Sequence, residues 1–501
     1  MKNAKQFLAL ILCALMLAPT MAACSEQGDS ADPSAAETTA AVETTPGETD
    51  RKDAKDNLPA DLNFGGKKIR IHTRGGGNRF QDIDGGGEET GDLVNDTVYQ
   101  KARMVEERLG VKLVVSENTE GYKQIGEEIQ ATVLAGDDAW EIISTSTNAT
   151  IQFSRDYLFQ PVQNNKYLDF DQPWWWKEAV YELTLDGENV RYFIGDTSIS
   201  AYNYCGAILY NKDLLESFGG KEDDLYNTVF EGKWTMDKLG EYASQMNKDV
   251  DGDGKLALTD VNGFYLDTFE YLKFLEYGCD VRRYTREGSN LPVVDLDLER
   301  ADIAINNMLK LVKETKGVYW DSAEKSRHRE IFANGSAVFY GTILGDAYNQ
   351  TVRAMESEYG VIPFPKMDDK QENYTTFIHG SAAMFSIPVT SKDIDPSCAV
   401  LEAMCSEAYR SVIEVYFDAA LKGKYSSDPS SAKCVDIIRS AARKYFLAEY
   451  NNVSGGKVSF LFANQVKAGA NTLASEYASI KDAANLKLAA FAEDLASKLN
   501  K

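Results

Sequence analysis

Short apolar stretches alternate with amphipathic stretches between residues 67 and 147, and this alternation constrains the fold more than any other feature of the sequence. Lys67–Thr73, Val111–Glu117 and Trp140–Thr147 have the composition of strands, whereas Gly91–Gly110 and Tyr122–Asp137 carry apolar residues at helical spacing. The β-α-β-α-β order predicts a parallel sheet with right-handed crossovers. Ligands of such sheets bind beyond the carboxyl ends of the strands, which are therefore candidates for the rim of a site.

The length and charge of the chain limit the remaining possibilities. The chain has 501 residues, whereas single hydrophobic cores stop growing at about 250–300 residues, so we expect at least two lobes. The formal net charge of −24 argues against binding to nucleic acid and against docking on anionic lipid. We therefore expect a protein with no nucleic-acid partner.

The N-terminus predicts export and attachment to a membrane. Lys2 and Lys5 precede the short apolar run Phe7–Leu17, and Met21–Cys24 follows with small residues before the cysteine. This pattern is that of a lipoprotein signal peptide over residues 1–23, with Cys24 acylated; the alternative is an ordinary signal peptide with an incidental cysteine. Residues 24–60 contain few large apolar side chains, which predicts a disordered tether. The predicted location is the extracellular side of the cell membrane, held by lipid alone.

No motif for metal-dependent or nucleophilic catalysis is found. His72, His328 and His379 are far apart, and no zinc-site or nucleophile-elbow pattern is present. After Cys24, five cysteines remain, and their spacing suits neither a disulfide framework nor a metal cluster. We expect these cysteines to be small buried hydrophobic residues.

Three adjacent tryptophans, Trp174, Trp175 and Trp176, form the densest aromatic feature of the chain. Adjacent residues do not share one face of a helix or strand, so at least one indole should point away from the core that the others fill. Two interpretations remain open. The indoles are core or lobe-packing residues, or one of them is a stacking platform for the face of a sugar ring.

The segment Asp249–Asp260 has the spacing of a twelve-residue calcium loop. The alternating carboxylates are followed by Gly254 at the sharp turn, and an aspartate stands where EF-hand loops usually have glutamate. A single loop lacks the partner that a calcium sensor requires, so we expect one structural Ca²⁺; the alternative is a solvated acidic turn without an ion. The predicted ligands are Asp249, Asp251, Asp253, the carbonyl group of Lys255, and Asp260.

Several segments together resemble the extracellular solute-binding proteins of bacterial ABC importers, specifically the carbohydrate-type class. Their order along the chain and the predicted lipoprotein signal carry the resemblance. The segments are Gly195–Gly220, Gly232–Phe264, Ile331–Leu344, Tyr359–Tyr374 and Val415–Phe446. The resemblance implies an α/β fold of the two-lobed, type II periplasmic-binding-protein class, in which each lobe is a mainly parallel sheet flanked by helices and a hinge joins the lobes.

The resemblance also implies lobe boundaries within a bilobal domain over residues 61–501. The first lobe would contain about 62–200 plus 380–410, and the second about 211–375 plus 411–501. Ala201–Tyr210 would be one strand crossing between the lobes, and a second crossing would lie near His379–Pro388.

Several residues follow as candidates for solute binding. The cleft wall would include Tyr340, Gly341 and Thr342, although Gly341 could equally be part of a plain turn. Side chains before the crossing could reach the cleft, and alternation along a strand would place Tyr202 and Tyr204 on one face. The further candidates are Asn203, His379 and Glu141, of which His379 could be a satisfied core or surface residue and Glu141 a charge on the lobe surface.

The function implied is a monomeric, lipid-anchored receptor that captures a sugar or oligosaccharide in an interlobe cleft. It would deliver this solute to the membrane permease of an ABC importer and perform no covalent chemistry. Two alternatives stay open: a secreted, calcium-dependent carbohydrate-active enzyme, and a binding protein for peptides or other solutes.

Overall fold

Two β-sheets with helices on their faces form the framework of the chain in a computed structural model. The structure describes residues 51–75, 81–153, 157–184, 189–267, 269–288, 291–320, 327–417, 428–442 and 450–499. Cys24 and the predicted signal peptide lie outside the described residues, as do residues 24–50 of the predicted tether.

The helices and strands alternate along most of the described chain. The strands are β1 (Lys67–Arg74), β2 (Val111–Asn118), β3 (Ile142–Ser146), β4 (Gly206–Asn211), β5 (Asn262–Leu266), β6 (Tyr284–Thr285), β7 (Val293–Val294), β8 (Val318–Trp320), β9 (Ala337–Ile343), β10 (Tyr359–Ile362) and β11 (Ala383–Ser386). The α-helices are α1 (Leu93–Leu109), α2 (Tyr122–Leu134), α3 (Thr147–Phe153), α4 (Lys177–Leu183), α5 (Ile199–Asn203), α6 (Lys212–Ser217), α7 (Glu222–Phe230), α8 (Met236–Gln245), α9 (Leu272–Gly278), α10 (Leu298–Leu309), α11 (His328–Ala333), α12 (Gln350–Arg353), α13 (Asp395–Glu407), α14 (Pro429–Ala442), α15 (Leu461–Ala468) and α16 (Leu473–Leu499).

The first sheet has the strand order β11-β3-β1-β2. β1 pairs in parallel with both neighbours, so that Ile71 lies opposite Val115 on one side and Ile142 on the other. β11 adds an antiparallel edge, with Met384 opposite Thr145. The parallel β-α-β-α-β unit predicted from the sequence is therefore confirmed.

Helix α1 shows how the sequence sets the limits of these elements. The Asp92 carboxylate accepts hydrogen bonds from the backbone N–H groups of Val94 and Asn95 and so caps the first turn. Gly110 ends the helix at a φ of 58°, a left-handed conformation that glycine adopts without steric cost. Between these caps Val98, Val105 and other apolar residues are buried, as their helical spacing predicts.

The second sheet has the order β10-β4-β9-β5-β8 and is mixed. β5 runs parallel to β8 and β9, whereas β4 is antiparallel to both β9 and β10. The carboxyl ends of β5 and β9 therefore lie at the same sheet edge as the start of β4. Helices of the C-terminal segment pack beside this sheet, with α15 against α9 and α10.

The chain passes between the sheets twice at one place, where residues 204–206 run antiparallel to residues 377–379. Gly206 N donates to Phe377 O at 3.0 Å, and His379 N donates to Tyr204 O at 3.1 Å. The expected strand Ala201–Tyr210 is corrected, because its first part forms helix α5 and β4 begins only at Gly206. Side-chain bonds explain the difference: Ser200 N and Oγ both donate to the Asp82 carboxylate and replace the bonds of a sheet ladder.

Residues 51–60, which composition assigns to the tether, instead pack on the part of the chain that contains the first sheet. The Asp56 carboxylate accepts from Arg108 Nη1 at 2.7 Å, and Arg51 Nη2 lies 3.3 Å from Asp196 Oδ2. Leu58 is buried in the core beside this sheet. The tether prediction is therefore corrected for these residues, because a few ion pairs and one buried leucine anchor a segment whose average composition is polar.

The five cysteines after Cys24 are buried and free, as predicted. They are Cys205, Cys279, Cys398, Cys405 and Cys434. Burial raises the pKa of each thiol, which opposes thiolate formation. In the part of the chain that the structure describes, no helix combines the length and apolar character needed to cross a membrane.

We predict that Asp56→Asn lowers the free energy of unfolding at pH 7 by about 1–3 kcal/mol, since it removes a carboxylate that accepts charged hydrogen bonds. Burial alone would raise the pKa of Asp56, but hydrogen bonds from Arg108 and Ser406 hold it below its ordinary value. Its stabilisation is therefore present above about pH 4 and is lost as the pH falls through the depressed pKa. Urea unfolding at pH 7 and at pH 3 measures the difference, with Asp53→Asn as the exposed control. Equal stability of Asp56→Asn and wild-type protein at pH 7 would contradict the docked position of residues 51–60.

Candidate functional site

Three strand ends meet at the chain crossing, and an acidic residue follows two of them. Asp267 follows β5, Asp346 follows β9, and Leu344 N donates to Cys205 O at 2.7 Å just before β4. The carboxyl ends of strands are where α/β sheets bind ligands, and domain junctions are where small-molecule sites concentrate. This edge is therefore where we locate the candidate site.

A buried group of polar side chains, here called the Asp346 cluster, lies directly at this edge. Asp346 accepts from Arg329 Nε at 2.7 Å, from the Tyr340 hydroxyl at 2.9 Å and from the Thr342 hydroxyl at 2.5 Å. His328 Nδ1 lies 3.1 Å from Asp267 Oδ2. The members of the cluster are Asp267, His328, Arg329, Tyr340, Thr342 and Asp346.

The predicted residues Tyr340 and Thr342 are thus brought together on one face of β9, but neither is exposed. Burial, and then the charge of Asp346, raises the pKa of Tyr340 well above its ordinary value, so its hydroxyl stays a donor. The predicted Gly341 is not brought to this group: it faces the other side of β9, where an added Cβ would lie 2.7 Å from a Leu266 methyl carbon. The buried side chains of the Asp346 cluster therefore bond to one another and hold this sheet edge in place.

A cavity of about 580 Å³ lies beside the same edge. Its size falls within the range of roughly 300–1,000 Å³ that is usual for small-molecule sites. Phe269 and Phe460 stack with ring centroids 5.6 Å apart and form its apolar wall, while carboxylate, amine, amide and hydroxyl groups supply hydrogen bonding. The lining residues are Phe269, Glu270, Gly456, Lys457, Phe460, Leu461, Asn464, Glu476, Ser479 and Ile480. This combination suits non-covalent binding of a small polar molecule with an apolar face.

The predicted residue His379 connects this cavity to the chain crossing. His379 Nε2 lies 2.9 Å from Glu270 Oε2, and Glu270 lines the cavity. The His379 ring is tilted on the Tyr204 ring at a centroid distance of 5.7 Å. Of the residues predicted from sequence, His379 thus contacts a cavity-lining side chain and Tyr204 contacts His379, although neither is among the described lining residues of the cavity.

Tyr202 and Asn203 lie in a different environment from Tyr204. Because residues 199–203 form helix α5, the expected shared strand face of Tyr202 and Tyr204 does not exist. The Tyr202 hydroxyl donates to Asp196 Oδ1 at 2.7 Å, and Asn203 Oδ1 accepts from the Tyr416 hydroxyl at 2.7 Å. Both side chains therefore fix helix α5 in the core rather than face the cavity.

All three tryptophans are buried, but they fill two different cores. Trp174 and Trp175 belong to the core beside the first sheet, and both indole N–H groups donate to Glu402, at 3.0 and 2.8 Å. Trp176 belongs to the other core, where its N–H donates to Asp196 Oδ1 at 2.9 Å. Packing of one indole away from the other two agrees with the sequence argument. The structure places none of the three at the cavity.

Glu141 is not brought to the candidate site. It lies at the amino-terminal end of β3, whereas the chain crosses to the second sheet near the carboxyl end. Its carboxylate accepts from the backbone N–H of Arg70 at 2.6 Å and from Arg70 Nε. This ion pair fits the alternative interpretation of Glu141 as a charge on the lobe.

Three of the predicted calcium ligands converge in the loop after α8. The carboxylates of Asp249, Asp251 and Asp253 lie within 4.8 Å of one another. Hydrogen bonds from Gly254 N and then Gly252 N lower the pKa of Asp249, which keeps it charged. Oxygen ligands of this kind suit Ca²⁺.

The other two predicted ligands have different surroundings. Asp260 is buried and is not among the converging carboxylates, because its two oxygens accept from Val250 N at 2.9 Å and Ala257 N at 2.7 Å. Lys255 N donates to Asp253 Oδ1 at 2.7 Å. Asp260 therefore holds the two ends of the loop together through hydrogen bonds to its backbone.

Sequence reasoning missed Asp267, Glu270 and Asp346, although a usable signal existed. Asp267 and Asp346 are acidic residues that follow apolar runs, which is the position where the carboxyl end of a strand meets a ligand, and Glu270 lies in the turn just after Asp267. Phe460 and Lys457 carried no such signal, because they reach the cavity from a glycine-rich segment far away in the sequence.

Comparison with known proteins shows the fold. No protein-family model matches the chain, and no curated protein matches it. Among solved structures, a cyclo/maltodextrin-binding protein complexed with maltotetraose is 15% identical, covers 87% of this chain and 97% of its own, and has a TM-score of 0.52. An ABC transporter solute-binding protein from Thermotoga lettingae bound with α-D-tagatose is 13% identical, covers 84% and 100%, and has a TM-score of 0.50. The chain therefore has the two-lobed α/β fold of the type II periplasmic-binding-protein class.

We predict that Trp174→Phe lowers the free energy of unfolding by about 1–3 kcal/mol, because the buried Glu402 loses one indole donor and a small cavity is left. The affinity of the folded variant for solute should stay unchanged. Urea unfolding and calorimetry measure the two quantities separately, with the half-buried Trp140→Phe as a milder control. Normal unfolding together with weaker solute binding would instead establish Trp174 as a stacking platform.

Proposed function

We propose that the protein is an extracellular solute-binding receptor that captures a sugar or oligosaccharide at the junction of its two lobes. The observation that carries the proposal is a cavity of about 580 Å³, lined by the turn after β5 and by residues 456–480 of the second lobe, beside the chain crossing formed by residues 204–206 and 377–379. A site next to a crossing can be opened and closed by bending there, with no covalent step required. Only a solute with better contacts in the closed state shifts the lobes toward closure.

The chemistry of the cavity favours a polyhydroxylated solute. The stacked rings of Phe269 and Phe460 offer an apolar surface, and Glu270, Glu476 and Asn464 offer carboxylate and amide groups around it. Aromatic faces pack on the C–H face of a sugar ring, while carboxylates accept from its hydroxyl groups. Two proteins that share the fold were solved with maltotetraose and α-D-tagatose bound, which supports the same ligand class here.

The proposal extends to the cellular setting of the receptor. The basic and apolar N-terminal run followed by Cys24 supports a lipid anchor, and the polar residues after it support a spacer from the membrane. The receptor would pass its solute to the permease of an ABC importer and would act as a monomer. Residues 51–58 would be where the spacer joins the folded domain, because Asp56 is held there by Arg108.

We also propose one structural Ca²⁺ in the loop after α8. The converging carboxylates of Asp249, Asp251 and Asp253 would hold the ion, and Asp260 would keep the loop closed. The loop is anchored at its base by the pairing of Lys248 with Val261, at 2.9 and 3.0 Å. A bound ion would neutralise the repulsion among the carboxylates and would leave the cavity unaffected.

We predict that an oligosaccharide raises the melting temperature of the purified protein in proportion to the logarithm of its concentration. A ligand at 100 times its dissociation constant stabilises the native state by ~2.7 kcal/mol. A thermal-shift screen with maltotetraose, tagatose and a peptide mixture measures this stabilisation. Stabilisation by peptides alone would contradict a sugar ligand and favour a peptide-binding protein. Release of reducing ends in proportion to protein concentration would contradict a purely binding role and favour an enzyme.

We predict that Asp249→Asn lowers the melting temperature in the presence of Ca²⁺ but not in the presence of a chelator, because an ion stabilises only the state that binds it. Wild-type protein should lose the same stability when the chelator is added. Asp223→Asn, in the acidic first turn of α7, is the matched control and should show no dependence on Ca²⁺. Equal destabilisation of Asp249→Asn with and without Ca²⁺ would show that Asp249 stabilises the loop without a bound ion.

A further inference from the structure

We propose that Glu270 couples the cavity to the hinge, so that occupancy of the cavity is transmitted to the chain crossing through the Glu270–His379 contact. The inference deepens the proposed function and rests on solute binding in this cavity. It assigns Glu270 as a positioning residue for closure.

Glu270 is the middle residue of a three-residue turn, Phe269–Tyr271, whose side chains have three different neighbours. Phe269 stacks on Phe460 in the cavity wall at a centroid distance of 5.6 Å. Tyr271 reaches the Asp346 cluster, with its ring centroid 6.5 Å from that of His328. Because one short turn carries all three contacts, a movement of its backbone changes the cavity wall, the crossing and the buried cluster together.

Hydrogen bonds within the crossing orient the His379 side chain toward Glu270. Ser381 N donates to His379 Nδ1 at 3.3 Å, which leaves Nε2 as the ring nitrogen that faces Glu270 Oε2, at 2.9 Å. The backbone N–H of His379 also donates to Tyr204 O of the other crossing segment. His379 therefore belongs to one crossing segment and is bound to the other, so a displacement of either segment changes the contact of His379 with Glu270.

A solute that donates a hydroxyl hydrogen bond to the Glu270 carboxylate competes with or reorients the bond from His379. The two bonds share one carboxylate, so their free energies are linked: a hinge position that favours one changes the strength of the other. Phe269 beside it fixes the turn, which limits how far Glu270 can move on its own. A hinge angle that depends on cavity occupancy follows from this arrangement.

The test measures the distance between spin labels on cysteines introduced at the exposed residues Lys123 in α2 and Glu241 in α8. We expect Glu270→Gln to shift or broaden the distance distribution without sugar, and to weaken binding of maltotetraose ~10- to 100-fold, the effect of one lost charged hydrogen bond. His379→Gln should reproduce the change in the distance distribution, and the double variant should add little to either single variant. The native cysteines described after Cys24 are buried and do not compete for the label.

Glu476→Gln is the matched control, because Glu476 lines the same cavity and belongs to helix α16, away from the crossing. It should change the affinity for maltotetraose and leave the ligand-free distance distribution unaltered. Identical ligand-free distributions in Glu270→Gln and wild-type protein overturn the coupling, whatever the sugar does. If the wild-type protein ignores maltotetraose while the ligand-free distributions differ, maltotetraose fails as the solute of the proposed function and the hinge contact of Glu270 stands.

Discussion

The antiparallel pairing of residues 204–206 with residues 377–379 positions the strands of both sheets relative to the crossing. Backbone hydrogen bonds of 3.0 and 3.1 Å hold the two chain passages together between the sheets. The pairing fixes where β4 starts in the second sheet and where β11 enters the first. It also places the carboxyl ends of β5 and β9 beside the crossing, and these ends supply the Asp346 cluster and the turn that lines the cavity.

Buried polar groups secure both sides of this crossing. On one side, the Asp82 carboxylate accepts from Ser200 of helix α5, and Ser200 Oγ accepts from Ala383 N of β11. Lys101 is fully buried nearby and donates to Asp82 O and to the Thr197 hydroxyl; burial lowers its pKa and raises that of Asp82. Satisfied networks of this kind specify one geometry, since any displacement leaves a buried polar atom unpaired. The crossing is therefore a defined joint with fixed attachments on each lobe.

The second side combines rigidity with access to solvent. Asp346 is saturated by three donors, while Glu270 and His379 remain partly exposed, at 49% and 26% of their side-chain surfaces. Groups that are buried and saturated cannot exchange partners at low cost, whereas partly exposed groups can exchange a protein partner for a solute. This difference explains why the predicted residues Tyr340 and Thr342 hold Asp346 in the core, whereas we assign solute binding to the cavity around Glu270.

Several elements follow from local sequence pattern alone. The apolar periodicity and the Asp92 and Gly110 caps define helix α1, and the alternation of elements predicts the parallel part of the first sheet. The twelve-residue frame predicts the convergence of Asp249, Asp251 and Asp253. Contacts between distant segments set the other features: helix α5 in place of a strand, the burial of Trp174 against Glu402, and the contact of Glu270 with His379 across 109 positions. Local pattern records which face of an element is apolar, but only the folded chain determines which partner that face or its polar end meets.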